Sequence, residues 1–451
     1  MLKFELSQSS GNYCDGVTRR QALQIGRTAL FGGLTLPHIL ELEANAAVSQ
    51  GRKATSCIFF MLEGGPSHID MWDLKPGAPK EIRGPFQQIS SAVPGTYISE
   101  LLPHCAKVTD KFSILRTHSH RDNGHQTGRH WVLTGYPPNF GDGQAKGMPY
   151  NELYPSIGSI VSRELGMREG GVPPYIEMPN PLGPGGPGFY GAAYAPFTIE
   201  TDPVQPDFQV RDMNLDKNIS NRRFRLRRKL LQGAERLGAT DTLTGRAKMM
   251  STYYEKAFKL ITSPHAKKAF QIQMEPASLR QQYGHTSIGQ CALLARRLVE
   301  AGCRFVSIDH GSWDTHVDNF TSHKKALVPP TDRAFSTLIA DLEQRGLLDD
   351  TLVVMMGEMG RTPKINSNAG RDHWSQCQSV IFAGGGTRRG VVIGKSDKTA
   401  SQPITRPYGI GDLLQTIFHL MGIDGDKTYQ TLLGRPVSIV KDGHVIDELV
   451  A

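Results

Sequence analysis

Four short apolar runs constrain this chain of 451 residues more than any other feature: Cys57 to Leu62, Arg304 to Ile308, Thr351 to Met356 and Ser379 to Ala383. Each is rich in β-forming residues and bounded by glycine or polar residues, the pattern of strands buried on both faces. Helical periodicities separate them. Thr331 to Arg345 sets Phe335, Leu338, Ile339 and Leu342 on one face, Ser287 to Ala301 is a second helix, and Asp412 to Met421 is a third, with Asp412 as its expected N-cap. This alternation predicts an α/β fold with a mostly parallel central sheet and helices on both faces. Length alone permits more than one domain. The 39% share of hydrophobic residues, with 48 glycines and 28 prolines, suits one globular core carrying many loops.

In such sheets ligands sit beyond the carboxyl ends of the strands. The first run is followed by Glu63-Gly64-Gly65-Pro66-Ser67-His68-Ile69-Asp70, the second by Asp309-His310-Gly311-Ser312-Trp313-Asp314-Thr315-His316, and the third by Gly357-Glu358-Met359-Gly360-Arg361-Thr362-Pro363. A further group, Gly370-Arg371-Asp372-His373-Trp374, precedes the last run. Divalent cations take carboxylate oxygens and imidazole nitrogens converging from separate segments, which is what three strand ends supply here. Singly, each residue has an ordinary explanation: Asp314 can cap a turn, Asp70 a helix, and Glu358 can pair with Arg361. Together they favour a metal site, because charged groups at buried strand ends need compensation.

The segment Thr117 to His130 holds four histidines, His118, His120, His125 and His130. Asp122 or Asn123 could cap a helix beginning near Gly124, whose amides would favour an anion, and Arg129 could pair with a phosphate or sulfate oxygen. A polar loop-to-helix junction with ordinary histidines explains this segment equally well.

Thr18-Arg19-Arg20-Gln21-Ala22-Leu23, an apolar stretch from Ile25 to Leu36 and the small residues Ala44-Asn45-Ala46-Ala47 have the order of a twin-arginine export signal over residues 1–47. Glycines and Arg27 break the apolar stretch, so it falls short of the ~20 apolar residues of a membrane span. The expected location is therefore periplasmic or secreted, with the twin-arginine translocase as a partner during export. Beyond Cys14, five cysteines remain without Cys-x-x-Cys spacing, which supports neither a zinc-cysteine site nor a disulfide framework, while leaving room for one bridge. The net charge of +8 is dispersed except at Arg222, Arg223, Arg225, Arg227, Arg228 and Lys229. With Phe224, Leu226, Leu230 and Leu231 interleaved, that run reads as a basic helix with a solvated face and some apolar contact, and no nucleic-acid partner is expected. Pro179 to Pro206 is a long Pro/Gly-rich loop, a candidate lid or substrate-facing insertion within an insertion spanning about 179–245.

The Gly64-Gly65-Pro66-Ser67-His68-Ile69-Asp70 turn with Trp72-Asp73, the Trp313-Asp314-Thr315-His316 group, Glu358-Met359-Gly360-Arg361-Thr362-Pro363 and Gly370-Arg371-Asp372-His373-Trp374 resemble the twin-arginine-exported proteins of domain-of-unknown-function family 1501. That family looks like a sulfatase-like branch of the alkaline phosphatase superfamily. The resemblance covers nearly all of residues 48–451 and implies an alkaline-phosphatase-like three-layer sandwich holding two divalent ions. It would place Glu63, Asp309, Asp314, His316, Glu358, Asp372 and His373 among the metal ligands. The superfamily often separates its middle Asp and His by three residues, whereas Asp314 and His316 are separated by one, so either Asp309 or Asp314 could be the ligand. The metal is not fixed among Zn, Ca, Mg and Mn.

The superfamily's nucleophile opens a helix about ten residues before a Thr-Gly like Thr134-Gly135, and counting back here lands near His125. Neither Cys-x-Pro-x-Arg nor Ser-x-Pro-x-Arg is present, so the chain is not a formylglycine sulfatase by motif. Three routes to hydrolysis stay open: attack by Thr127, attack by Ser67, or attack by a metal-activated water with His125 as general base, with Arg129 or Arg361 holding the ester oxyanion. The expected function is hydrolysis of phosphate or sulfate esters, on small molecules or glycans. The alternative is a catalytically silent relative that binds a metal or ligand.

Overall fold

The computed structural model describes residues 54–138, 153–211, 213, 219–237, 245–431 and 434–451. The export signal expected at 1–47 lies outside them, as do parts of the expected insertion. The central sheet is built from β1 (Ser56–Leu62), β2 (Phe112–His118), β3 (Tyr175–Met178), β4 (Phe197–Thr198), β5 (Phe305–His310), β6 (Thr351–Met356), β7 (Gln378–Ala383) and β8 (Val392–Ile393). Their order across the sheet is β8-β2-β7-β6-β1-β5-β3-β4. β1 is central and wholly buried, with Cys57 opposite Phe305 of β5 on one side and Leu352 of β6 on the other, both in parallel register.

Alternation along β1 divides the core into two layers, because successive strand side chains point to opposite faces. Ile58, Phe60 and Leu62 join Leu294 of α5 (Ser287–Glu300) and Phe335 and Leu338 of α6 (Val328–Gln344). Cys57, Phe59 and Met61 join Leu133 of α1 (His125–Thr134), Ile160 of α2 (Ile157–Leu165) and Leu414 of α7 (Ile410–Leu420). The result is the expected helix–sheet–helix sandwich. Truncating any of these buried leucine, isoleucine, methionine or phenylalanine side chains to alanine removes burial and opens a cavity, at about 2–5 kcal/mol each.

One strand departs from the parallel expectation. β7 pairs antiparallel with both β6 and β2, while β2 and β8 run parallel to each other. The β6-to-β7 connection has no helix to carry the chain back across the sheet. It passes instead through the antiparallel pair Gly360–Arg361 and His373–Trp374, and so returns in the opposite direction. The segment entering β7 consequently lies at the carboxyl edge of the other strands, and this is what brings Asp372 and His373 to the same side as the ends of β1, β5 and β6.

Smaller corrections have local causes. α7 starts at Ile410, with Gly409 at its N-cap, and Asp412 sits inside the first turn, where its Oδ2 accepts the Gly409 N–H at 2.7 Å. α6 starts at Val328, before the predicted Thr331, because Pro329 and Pro330 occupy its first turn, where a missing N–H costs nothing. All five described cysteines are free and buried, so the one bridge allowed by the sequence does not form. The basic run lies on α3 (Asn221–Leu237) with Arg222, Arg223, Arg225 and Arg227 exposed, as expected of a solvated face. Its apolar contact is Phe224, stacked on Phe258 of α4 (Gly245–Thr262), whereas Leu226 and Leu230 face solvent. Among the described residues no helix is long and apolar enough to cross a membrane.

Candidate metal centre

The first turn of the site is forced by two glycines. Gly64 (φ +110°) and Gly65 (φ +84°) follow β1 in backbone conformations that side chains disfavour. A Cβ on Gly64 would run into the Asp314 amide, and one on Gly65 into Met359. The close approach lets the Gly64 N–H donate to both carboxylate oxygens of Glu358, at 2.9 and 3.1 Å. Glu358 is fully buried, and its Oε1 also accepts from His125 Nδ1 at 2.6 Å.

His125 opens α1, with Gly124 as its N-cap residue and the Asp122 carboxylate accepting the Gly124 N–H at 2.8 Å. Its Nε2 lies 3.2 Å from Asp314 Oδ2. Asp314 Oδ1 is in turn 3.0 Å from His316 Nε2 and 3.2 Å from His373 Nε2. The two imidazole Nε2 atoms of His316 and His373 face each other at 2.9 Å. Donor atoms of His125, Asp314 and His373 all fall within 4.8 Å of one another, and among the described residues this is the one group of three with metal-ligand spacing.

The outer partners of these rings fix their protons. His373 Nδ1 lies 2.7 Å from the Asn123 carbonyl, which can only accept, so that nitrogen carries the hydrogen. His316 Nδ1 lies 2.6 Å from Asp372 Oδ1, and His125 Nδ1 faces Glu358, so the carboxylates draw the same tautomer there. In their neutral forms all three rings then turn an Nε2 lone pair toward the Asp314 carboxylate. Arg361 donates to Asp314 Oδ1, but the imidazole lone pairs facing the carboxylate repel it unless a proton or a metal ion lies between them. Nitrogen-rich donors with one carboxylate fit a borderline divalent ion such as Zn²⁺, whereas Ca²⁺ and Mg²⁺ favour all-oxygen sets. The carboxylates and carbonyl behind the rings are the usual outer support of such ligands.

Charge around the site follows the same geometry. Partial burial opposes the charged form of Asp314, but the Arg361 hydrogen bond and charge, together with His125, outweigh it and hold the carboxyl at about 2. The hydrogen bond to Glu358 raises the His125 pKa against partial burial. His373 is lowered by burial and then by the charges of His125 and Arg361. Asp309 is raised by burial.

The remaining expected residues separate into distinct roles. Asp372 and Glu358 stand behind the rings rather than at the converging point. Glu63 pairs with Arg129, and Asp309 accepts from Asn180 at 3.3 Å with its other oxygen buried and unpartnered. Arg129 is buried one helical turn after His125, on the same side of α1, and its Nε has no hydrogen-bond partner. Gly183, in the Pro/Gly-rich loop, packs against this guanidinium, so the start of that loop faces the site.

Arg361 does not pair with Glu358, nor does it have the freedom to hold an ester. It is fully buried and donates to the carbonyls of Gly64, Gly65 and Arg371 and to Asp314 Oδ1. The hydroxyls are engaged too: Thr127 Oγ1 donates to Asp122 at 2.6 Å, and Ser67, with no exposure, donates to Asp70 at 2.6 Å. His118 and His120 are buried and bonded to the carbonyls of Tyr408 and Glu358. What the sequence missed is that His125 joins Asp314 and His373 as a ligand-type donor. The signal was its place at the helix start, where counting back from Thr134-Gly135 arrives.

Residues 54–450 match the model of a family described as protein of unknown function (DUF1501). Comparison with curated proteins finds no match. Among solved structures the chain is similar to a phosphonate monoester hydrolase from Silicibacter pomeroyi, at 13% identity and TM-score 0.35, over 87% of this chain and 76% of that one. It is also similar to a sulfatase from Pseudoalteromonas sp., at 16% identity and TM-score 0.33, over 84% and 70%. A protein of the alkaline phosphatase superfamily from Vibrio parahaemolyticus is similar at 11% identity and TM-score 0.37, over 88% and 71%. Likenesses this distant assign no residue a role.

Proposed function

The chain belongs to the DUF1501 family, proteins of unknown function, and from that premise and its histidine–carboxylate cluster we propose that it is a metal-dependent hydrolase of phosphate or sulfate esters. The observation carrying this reading is the convergence of Asp314 with the Nε2 atoms of His125, His316 and His373, ligand-type atoms from three separate segments at the spacing a metal ion takes. An ion held there would supply Lewis acidity toward the ester and the attacking water.

The chain's own residues have the following parts. Glu358, Asp372 and the Asn123 carbonyl orient the three rings. Arg361 ties Asp314 to the Gly64-Gly65 turn and so places the carboxylate. Arg129, with an Nε donor left over, takes an anionic oxygen of the substrate. Asp309, buried with one oxygen unpartnered, is the further carboxylate available to accept a proton or a second ion. Water is the attacking group in this reading, since the hydroxyls of Thr127 and Ser67 are committed to Asp122 and Asp70. Export to the periplasm and action on glycans remain part of the proposal, carried by the N-terminal motif and the family resemblance.

The engagement of both hydroxyls also favours a second reading, in which the same cluster binds a metal without turnover. One experiment separates them. Protein purified without chelator is analysed for metal and assayed on p-nitrophenyl phosphate and p-nitrophenyl sulfate, beside Asp314→Asn. At least one equivalent of a transition metal, with hydrolysis lost in the variant, is expected. A second equivalent would bring Glu63 and Asp309 into the ligand set. Metal without hydrolysis of either ester selects the binding role, and a metal-free protein sinks both.

A further inference from the structure

A separate cavity lies at the amino ends of β3 and β4, between Pro173–Pro174 before β3, Phe197 at the start of β4, and Leu260 and Ile261 of α4. The metal centre is at the carboxyl ends of the strands, so nothing about this cavity depends on it. The volume is about 230 Å³, and the walls are mainly apolar. That is below the ~300 Å³ at which pockets begin to take drug-sized molecules.

Beside the tyrosines Tyr175 and Tyr253, two groups in the lining bear on what it could bind. Lys256 is the one charged residue among those lining the cavity, and no carboxylate lines it. Its ammonium donates to the Ala193 carbonyl and lies 4.7 Å from the centre of the Tyr194 ring, leaving donors available. Burial alone pulls its pKa down to about 8, as befits a cation without a counter-charge beside it. Ser162 is the second group: it lines the same cavity, is 1% exposed, and its Oγ has no hydrogen-bond partner. A buried hydroxyl left unpaired costs about 1–3 kcal/mol, so a ligand that satisfies it gains affinity.

We propose that this cavity binds a small amphipathic anion, a short-chain monocarboxylate whose carboxylate meets Lys256 and Ser162 and whose chain lies against Phe197, Leu260 and Ile261. An uncharged apolar ligand would leave the ammonium uncompensated, and a cation would be repelled. A dianion of the kind cleaved at a phosphatase site would carry more charge into apolar walls than one lysine can offset.

The test is calorimetric titration of the full chain at pH 7 with sodium hexanoate, beside hexanol and hexylammonium chloride. Saturable one-to-one binding of hexanoate is expected at millimolar concentration or below. At least tenfold weaker binding is expected for hexanol, and none for hexylammonium. Lys256→Met should weaken hexanoate at least tenfold, and Ser162→Ala about threefold. Ala257→Leu, which retains the lysine and fills the cavity, should abolish binding, and it decides the matter if the Lys256 variant loses its thermal transition. No saturable binding up to about 10 mM overturns the proposal, as do equal affinities for hexanoate and hexanol or unaltered binding in folded Lys256→Met or Ala257→Leu.

Discussion

Asp70 and Asp314 both belong to the motifs that mark this chain, and both meet an arginine, yet their surroundings are opposite. Asp70 is fully buried and saturated: Arg371 reaches its two oxygens at 2.8 and 3.0 Å, while Ser67 and Asn319 donate at 2.6 and 2.9 Å. Arg371 spends its other donors on the carbonyls of Thr362, Pro363 and Ile82. Asp314, bonded to Arg361, is 44% exposed at its side chain and faces three imidazole nitrogens rather than three donors. One cluster is saturated by fixed donors; in the other only Arg361 is a fixed donor and the remaining partners are imidazoles. The difference separates a carboxylate that holds the loops together from one that the loops leave half exposed among imidazoles, as the proposed metal site requires.

The comparison predicts a ladder of effects. Asp70→Ala leaves the Arg371 guanidinium buried without its partner and should cost about 3–5 kcal/mol of unfolding free energy in urea. A loss below about 1 kcal/mol would erase the distinction between the clusters. Another buried carboxylate, Glu177, has no arginine at all, and burial raises its pKa to about 7 from 4.5. Because the folded value lies above the unfolded one, its contribution is complete below about pH 4.5 and is lost as pH rises through 7. Wild type should therefore lose about 3 kcal/mol over that window relative to Glu177→Gln, a slope read from denaturation at several pH values. Parallel pH curves for the two proteins would refute it.

Glu358 stands between the two extremes, saturated by Gly64 yet supporting His125. Glu358→Gln should weaken metal binding about 10–100-fold in competition with a chelator, with a smaller change in thermal midpoint. Smallest of all, Asp314→Asn should cost the apo-protein about 1–2 kcal/mol, since it removes the charge facing buried Arg361 while the amide oxygen still accepts from it and the exposed half of the side chain is screened by solvent. A loss as large as that of Asp70→Ala would make Asp314 a structural residue.

The strands visible in sequence were those with uninterrupted apolar runs, β1, β5, β6 and β7. β3 escaped notice because Glu177 sits in its middle, and a buried acid bonded to Tyr175 looks polar until its partner is known. β2 was obscured by Ser113 and Arg116, whose partners are far away in the chain. The site's segments were legible because glycines and charged residues cluster after strands. Its roles were not, since whether a carboxylate faces a donor or another acceptor depends on contacts such as Glu358 with Gly64, 294 residues apart. The direction of β7 was equally hidden: a short connection without a helix allows an antiparallel return, and only the register shows that it was taken.

That reversed strand also sets the order of events in the life of the molecule. Asn123 and His373, 250 residues apart, meet because β7 enters the sheet from the carboxyl edge. A ribosome-bound chain that has not yet released β7 can own His125, Asp314 and His316 and still lack His373. If the cluster binds a metal as proposed, its full donor set is assembled only after His373 is synthesised and docked, and a truncated product lacking that segment should hold an ion more weakly.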